Sequence, residues 1–167
     1  VANAPLSPAS RAEAAAVLAK AGGARGMLYG QELDKHFETV KASESELLQL
    51  HAHKTGALIV AAVELGCAAA GETGTKREAL RRYAAEIGLL FQIVDDILDV
   101  TSTSEVLGKT VGSDAAEGKT TFVTLLGLEA AKTRAAALTA EAEQILSQFP
   151  QHEFLLDLTR ELLCREK

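Results

Sequence analysis

An all-α fold is what this sequence predicts, on three observations. Alanine and leucine dominate a chain in which 47% of the residues are apolar, while β-branched and aromatic residues are sparse; that balance favours helices over strands. No segment shows the apolar–polar alternation of a half-buried strand. Only three prolines occur, near the ends or between apparent elements, so long helical runs go unbroken.

The elements follow in order. Ser7-Pro8 is a helix start, with Ser as N-cap and Pro at the first helical position. One helix is expected over about residues 9–35, although Gly22, Gly23, Gly26 and Gly30 lie inside it. Each internal glycine costs about 1 kcal/mol against alanine, so four imply close approach of another backbone or a local irregularity. Ser43-x-x-Glu46 is a capping box opening a helix to about residue 70, with Thr55-Gly56 as a weak point. Residues 71–74 form a turn. Thr75-x-x-Glu78 is a second capping box, before a helix to about residue 100. Residues 101–118 are a polar loop, of a length that is often functional. A helix resumes near Thr121 and breaks around Ala130; another ends before Pro150, and a last one covers the C-terminal residues.

Composition narrows the function. The formal net charge is −6, with no basic stripe and few aromatics for stacking on bases, which argues against nucleic acid as partner. Cys67 and Cys164 have no metal-ligand spacing and read as reduced, buried thiols of a cytoplasmic protein. The longest apolar run, residues 57–70, is interrupted by Glu64 and too short to span a bilayer, so no membrane insertion is expected. His51 and His53, two apart on a helix, make a poor zinc pair and read as structural or exposed.

The densest signal is Gln92, Asp95, Asp96 and Asp99, spaced i, i+3, i+4, i+7 on one helix face. Apolar residues Ile87, Leu90, Phe91, Val94, Ile97 and Leu98 fill the opposite side. Like charges at i, i+4 cost a helix about 0.2–0.5 kcal/mol. No Lys, Arg or His lies between Arg82 and Lys109 to neutralise them. A solvated acidic face is the simpler reading of three such residues. Aspartate, however, is a poorer helix former than glutamate, and solubility alone does not require it here. A hard divalent cation is the natural counter-charge, since magnesium prefers carboxylate oxygens and bridges to phosphate.

The stretch from Leu89 to Val100, with Asp95-Asp96-x-x-Asp99 at its centre, resembles the second aspartate-rich motif of the trans-isoprenyl diphosphate synthases, the farnesyl and geranylgeranyl diphosphate synthases among them. Gly30-Gln31-x-x-Asp34 is similar to the family's G-Q-x-x-D helix, and Lys54-Thr55 to its K-T motif. Gly108-Lys109 and Asp114-x-x-x-Gly118-Lys119-x-Thr121 resemble its two lysine positions after the aspartates. The motifs keep the family's order.

That resemblance implies an isoprenoid-synthase-type helical bundle around a central cavity, here a partial fold. Residues 1–167 would be the C-terminal part of a single polyprenyl synthase domain, since the family's first aspartate-rich motif is absent from them. The implied activity is condensation of isopentenyl diphosphate with an allylic diphosphate (dimethylallyl, geranyl or farnesyl) to a short-chain product, by Mg²⁺-assisted ionisation. Asp95, Asp96 and Asp99 would hold Mg²⁺. Lys54, Lys109 and Lys119 would contact the diphosphate, and Gln31 the same region. Gln31 and Asp34, i, i+3 on one helix face, would orient the Lys54 region or a bound metal's water, or else pack as a buried polar pair. Thr55 and Gln92 would place oxygen dipoles near the allylic cation. The family's basic residues for isopentenyl diphosphate lie before the motifs seen here, apart from any contribution of Arg160, Arg165 and Lys167 in the tail. A cytoplasmic homodimer is the family's usual form, and the chain alone would be inactive. A class I terpene synthase and a non-catalytic subunit of a heteromeric prenyl synthase are the alternatives.

Overall fold

The computed structural model describes residues 1–102 and 118–165. All regular structure among them is helical. Helix α1 (Pro8–Gly22) starts as its sequence requires: Ser7 Oγ accepts from Ser10 N at 3.1 Å, and Pro8 occupies the first turn. The expected single helix over 9–35 is two, α1 and α2 (Met27–Phe37). Glycines cause the break. Gly23 leaves the helix in an extended conformation, and at Gly26 the chain folds so tightly that a β-carbon would stand 2.0 Å from the Ala21 carbonyl oxygen.

The predicted capping box opens α3 (Glu44–His51): Ser43 N donates to Glu46 Oε2 at 2.8 Å, and Glu46 N to Ser43 Oγ at 3.4 Å. The weak point is a π-helical turn, Ala52–Gly56, after which the rod continues as α4 (Ala57–Ala70). Gly71, at φ 69°, closes α4, with Glu72 N donating to Cys67 O at 2.9 Å. Helix α5 (Gly74–Thr101) has 28 residues and is about 42 Å long. It starts one residue before Thr75, so the expected second capping box lies inside the helix and caps nothing.

The chain is described again from Gly118. Thr121 caps the short α6 (Phe122–Leu126) in a box with Thr124. The break expected around Ala130 comes earlier, at Gly127 with φ 84°, where α7 (Leu128–Leu146) begins. Helix α8 (Glu153–Cys164) follows. Most of the polar loop expected over 101–118 lies outside the described residues.

Helix α5 is the axis. It lies along α7 on one side and α4 on another, while α1 covers α4 and α8 covers α7 and α5. Ala131, Ala135 and Ala142 on α7 let it approach Leu90 and Ile93 of α5 closely, and all five are buried. Tyr83 Oη reaches the Leu155 carbonyl and Thr159 Oγ1, both at 3.1 Å, tying α8 to α5. Arg77 at the start of α5 pairs with Glu64 of α4 and Glu13 of α1. Cys67 is buried as expected; Cys164, the last residue of α8, is exposed and not buried. The apolar run is longer than the sequence suggested. The continuous stretch Glu44–Ala70 is long and apolar enough to cross a bilayer by length and composition.

Candidate functional site

Two glycines build the site. Gly30 of α2 and Gly88 of α5 press on the π turn from either side. A β-carbon at Gly30 would meet Lys54 N at 2.1 Å, and one at Gly88 would meet Gly56 Cα at 3.0 Å. With Lys54 and Thr55 on that turn, α2 and α5 share a polar concavity of about 180 Å³. Turns of this kind recur at functional sites because they re-aim side chains out of helical register.

Asp34, His51, Lys54, Gln92, Asp95, Asp96 and Lys119 all line the concavity. Lys54 Nζ donates to Asp34 Oδ2 at 2.6 Å, and both side chains are about one-third exposed (35% and 34%). Thr55 Oγ1 donates to Gln92 Oε1 at 2.8 Å, tying the turn to α5. Lys119 is set in place by its neighbours: Lys41 Nζ donates to the Gly118 carbonyl at 2.5 Å, and Ala42 N to Thr120 Oγ1 at 3.2 Å.

The aspartates divide. Asp96 and Asp99 are buried, at 5% and 2% exposure, so a solvated acidic face is not what this helix presents. Asp96 Oδ2 accepts from Phe122 N at 2.7 Å, so the first turn of α6 rests on a carboxylate of α5. Asp95 is the half-exposed one. Its Oδ1 accepts from Arg165 Nη2 at 2.9 Å, and the guanidinium lies 4.4 Å from the Phe91 ring centroid.

Gln31 is exposed and stands outside the concavity, and Asp99 does not line it. Lys109 and Lys167 fall outside the described residues. Arg160 pairs with Glu143, away from the site. Three contributors have roles that the sequence reading did not assign. Arg165 supplies a base to Asp95 from 70 residues away, which no local spacing signals. The Phe122 N–H is a backbone group and has no sequence signature. His51 is buried and lines the concavity, its offset of three from Lys54 being the available signal. Its neighbour in sequence, His53, instead meets Tyr29 edge-on at 5.0 Å.

Burial first, and nearby Lys54 second, hold the His51 pKa down at about 4 against the opposing pull of Asp34. His51 is therefore neutral around pH 7.

Among the described residues no group of three or more His, Cys, Asp or Glu could cage a metal ion. The donors that face the concavity still fit magnesium, which takes one or two carboxylates and fills its remaining positions with water and phosphate oxygens. Asp95 and Asp96 supply those carboxylates at the wall of the concavity.

Residues 6–153 match the polyprenyl synthetase family. The chain is 48% identical over 148 residues to the chloroplastic geranylgeranyl pyrophosphate synthase of Capsicum annuum, covering 88% of this chain and 40% of that one. It is 46% identical over 135 residues to farnesyl diphosphate synthase of Escherichia coli, covering 80% and 45%. The crystal structure of a geranyltransferase from Helicobacter pylori, complexed with magnesium and isoprenyl diphosphate, superposes with a TM-score of 0.80 at 36% identity, over 97% of this chain and 53% of that one. The chain thus spans about half the length of the relatives it matches. Matched along most of its length, the chain belongs to the polyprenyl synthetase family and has the all-α fold of its prenyltransferases.

Proposed function

We propose that this chain forms one wall of a trans-prenyltransferase that joins isopentenyl diphosphate to an allylic diphosphate and yields farnesyl or geranylgeranyl diphosphate. One observation carries the reading: two carboxylates of α5 and two lysines from separate segments line a single concavity. The segment fits as the C-terminal part of one synthase domain, with the first aspartate-rich motif in the remainder of the protein.

In this reaction the allylic carbon–oxygen bond breaks, the double bond of isopentenyl diphosphate attacks the resulting cation, and a proton leaves. The difficulty is the charge of the departing pyrophosphate. Magnesium, when bound, would supply Lewis-acid neutralisation of that charge. Asp95 and Asp96 would hold it, with buried Asp99 behind them. Lys54 and Lys119 would place ammonium groups on the diphosphate oxygens, as would Lys109 by resemblance. Lys54 is paired with Asp34, which orients its side chain. Thr55 and Gln92 would turn oxygen dipoles toward the cation. Their mutual hydrogen bond fixes both side chains before substrate arrives, which is the preorganisation such stabilisation requires.

A homodimer in the cytoplasm is the assembly and location we favour. We read the stretch Glu44–Ala70 as part of a water-soluble protein, because it carries Glu44, Glu46, His51, His53, Lys54 and Glu64. The test is to incubate the full-length protein that contains this chain with isopentenyl diphosphate, Mg²⁺ and each allylic primer in turn. A prenyl product longer by one five-carbon unit supports the proposal; no product with any primer refutes it.

A further inference from the structure

His51 is the side chain of the concavity whose chemistry is unused. It is buried at 8% exposure, and neither Nδ1 nor Nε2 has a hydrogen-bond partner among the described residues. A neutral imidazole carries one N–H donor and one acceptor nitrogen, and interiors rarely leave such groups unmet. The ring stacks on Phe122, centroids 5.5 Å apart at 29°, and the Phe122 N–H holds Asp96. That stack needs a flat ring and not its nitrogens; phenylalanine would fill the space without buried polar atoms. The nitrogens therefore call for a partner that the described residues do not supply. The concavity is polar and lies against the ring, so its occupant is the partner within reach.

We infer that His51 is a ligand-binding residue of this concavity: in the occupied protein its ring N–H donates to an oxygen of the bound diphosphate. The inference rests on the diphosphate reading above. An uncharged donor has a specific advantage here. A cation at position 51 would be drawn to Asp34 or Asp96 whenever the concavity is empty, as Lys54 is drawn to Asp34. A neutral imidazole escapes that capture and stays available to the ligand. Its N–H adds a directional bond beside two flexible ammonium groups, which fixes where the diphosphate sits.

The experiment compares wild type, His51→Phe and His51→Gln in the otherwise unchanged protein. Binding of inorganic pyrophosphate with Mg²⁺ is measured by calorimetry, and stability without ligand by urea unfolding. His51→Phe is expected to be at least as stable as wild type without ligand, yet to bind pyrophosphate about tenfold or more weakly. His51→Gln, which restores an N–H, should recover part of that loss. Wild-type affinity in His51→Phe overturns the inference and identifies the nitrogens' partner as trapped water. So does a His51→Gln protein that binds no better than His51→Phe. Should His51→Phe fail to fold, His51→Leu carries the same comparison. A wild-type protein that binds no pyrophosphate overturns the diphosphate reading itself, and this inference with it.

Discussion

Gly30 lies so close to Lys54 that a β-carbon on it would stand 2.1 Å from the lysine's amide nitrogen. The neighbouring atoms are backbone and cannot swing away. Gly30→Ala should therefore destabilise the protein by about 3 kcal/mol or displace the π turn. Urea unfolding reads the first outcome. The second shows as lost pyrophosphate binding, because Lys54 moves with the turn.

Asp96 stabilises a helix that is not its own. Removing its carboxylate leaves the buried Phe122 N–H without an acceptor. Asp96→Ala should cost about 1–3 kcal/mol, and Asp96→Asn, which keeps an acceptor oxygen, clearly less. The contrast in unfolding free energy separates this role from any part that Asp96 has in metal binding.

Asp95 and Arg165 form an ion pair, and a cation held as proposed above would have to enter it. Asp95→Ala should abolish the rise in melting temperature produced by Mg²⁺ with pyrophosphate, since a ligand stabilises only the state it binds. Arg165→Ala should enlarge that rise at low Mg²⁺, by removing the competing guanidinium. Differential scanning fluorimetry across a magnesium titration checks both.

His51 gives stability a pH dependence of known sign. Its folded pKa, about 4, lies below the ordinary value of 6.5, so between those values the unfolded chain holds more protons. Stability should fall as pH drops from 6.5 toward 4, by roughly 3 kcal/mol at most from this residue. His51→Phe should flatten the profile by that amount, measured by urea unfolding at pH 4.5 and 7 on both proteins.

Arg77 clamps three helices at the end away from the concavity. Its Nε donates to Glu64 Oε2 at 2.9 Å, and a terminal nitrogen reaches Glu13. Arg77→Ala should cost about 1 kcal/mol, typical of a partly exposed ion pair, and loosen α1 first. Amide exchange should quicken across Pro8–Gly22 more than in α5.

The helical class and most element boundaries were legible because caps are local. Ser7, Ser43 and the glycine at 71 each act within one turn of the residues they terminate. The miscounted first helix shows the limit: four glycines announced an irregularity, but only the fold of the chain onto Ala21 placed it at Gly26. The site divides along the same line. Lys54, Gln92, Asp95 and Asp96 stood out by motif and do meet at one concavity, whereas the Arg165 partnership depends on a contact across 70 residues. Sequence spacing also put all the acids on one face without saying that this face turns inward.

The π turn holds slack. Each π turn takes in about one residue more than an α turn, so 52–56 carries one residue that a plain helix would not need, and the rod leaves it close to the phase in which it entered. Deleting a single residue from 52–56 should relax this turn to plain α-helix while Leu47 and Leu50 before it and Ala61 and Cys67 after it keep their buried settings. A deletion elsewhere in Glu44–Ala70 has no such slack and would rotate everything beyond it by about 100°. A library of single-residue deletions across that stretch should keep its folded members at 52–56, and those members should have lost the aim of Lys54 and Thr55.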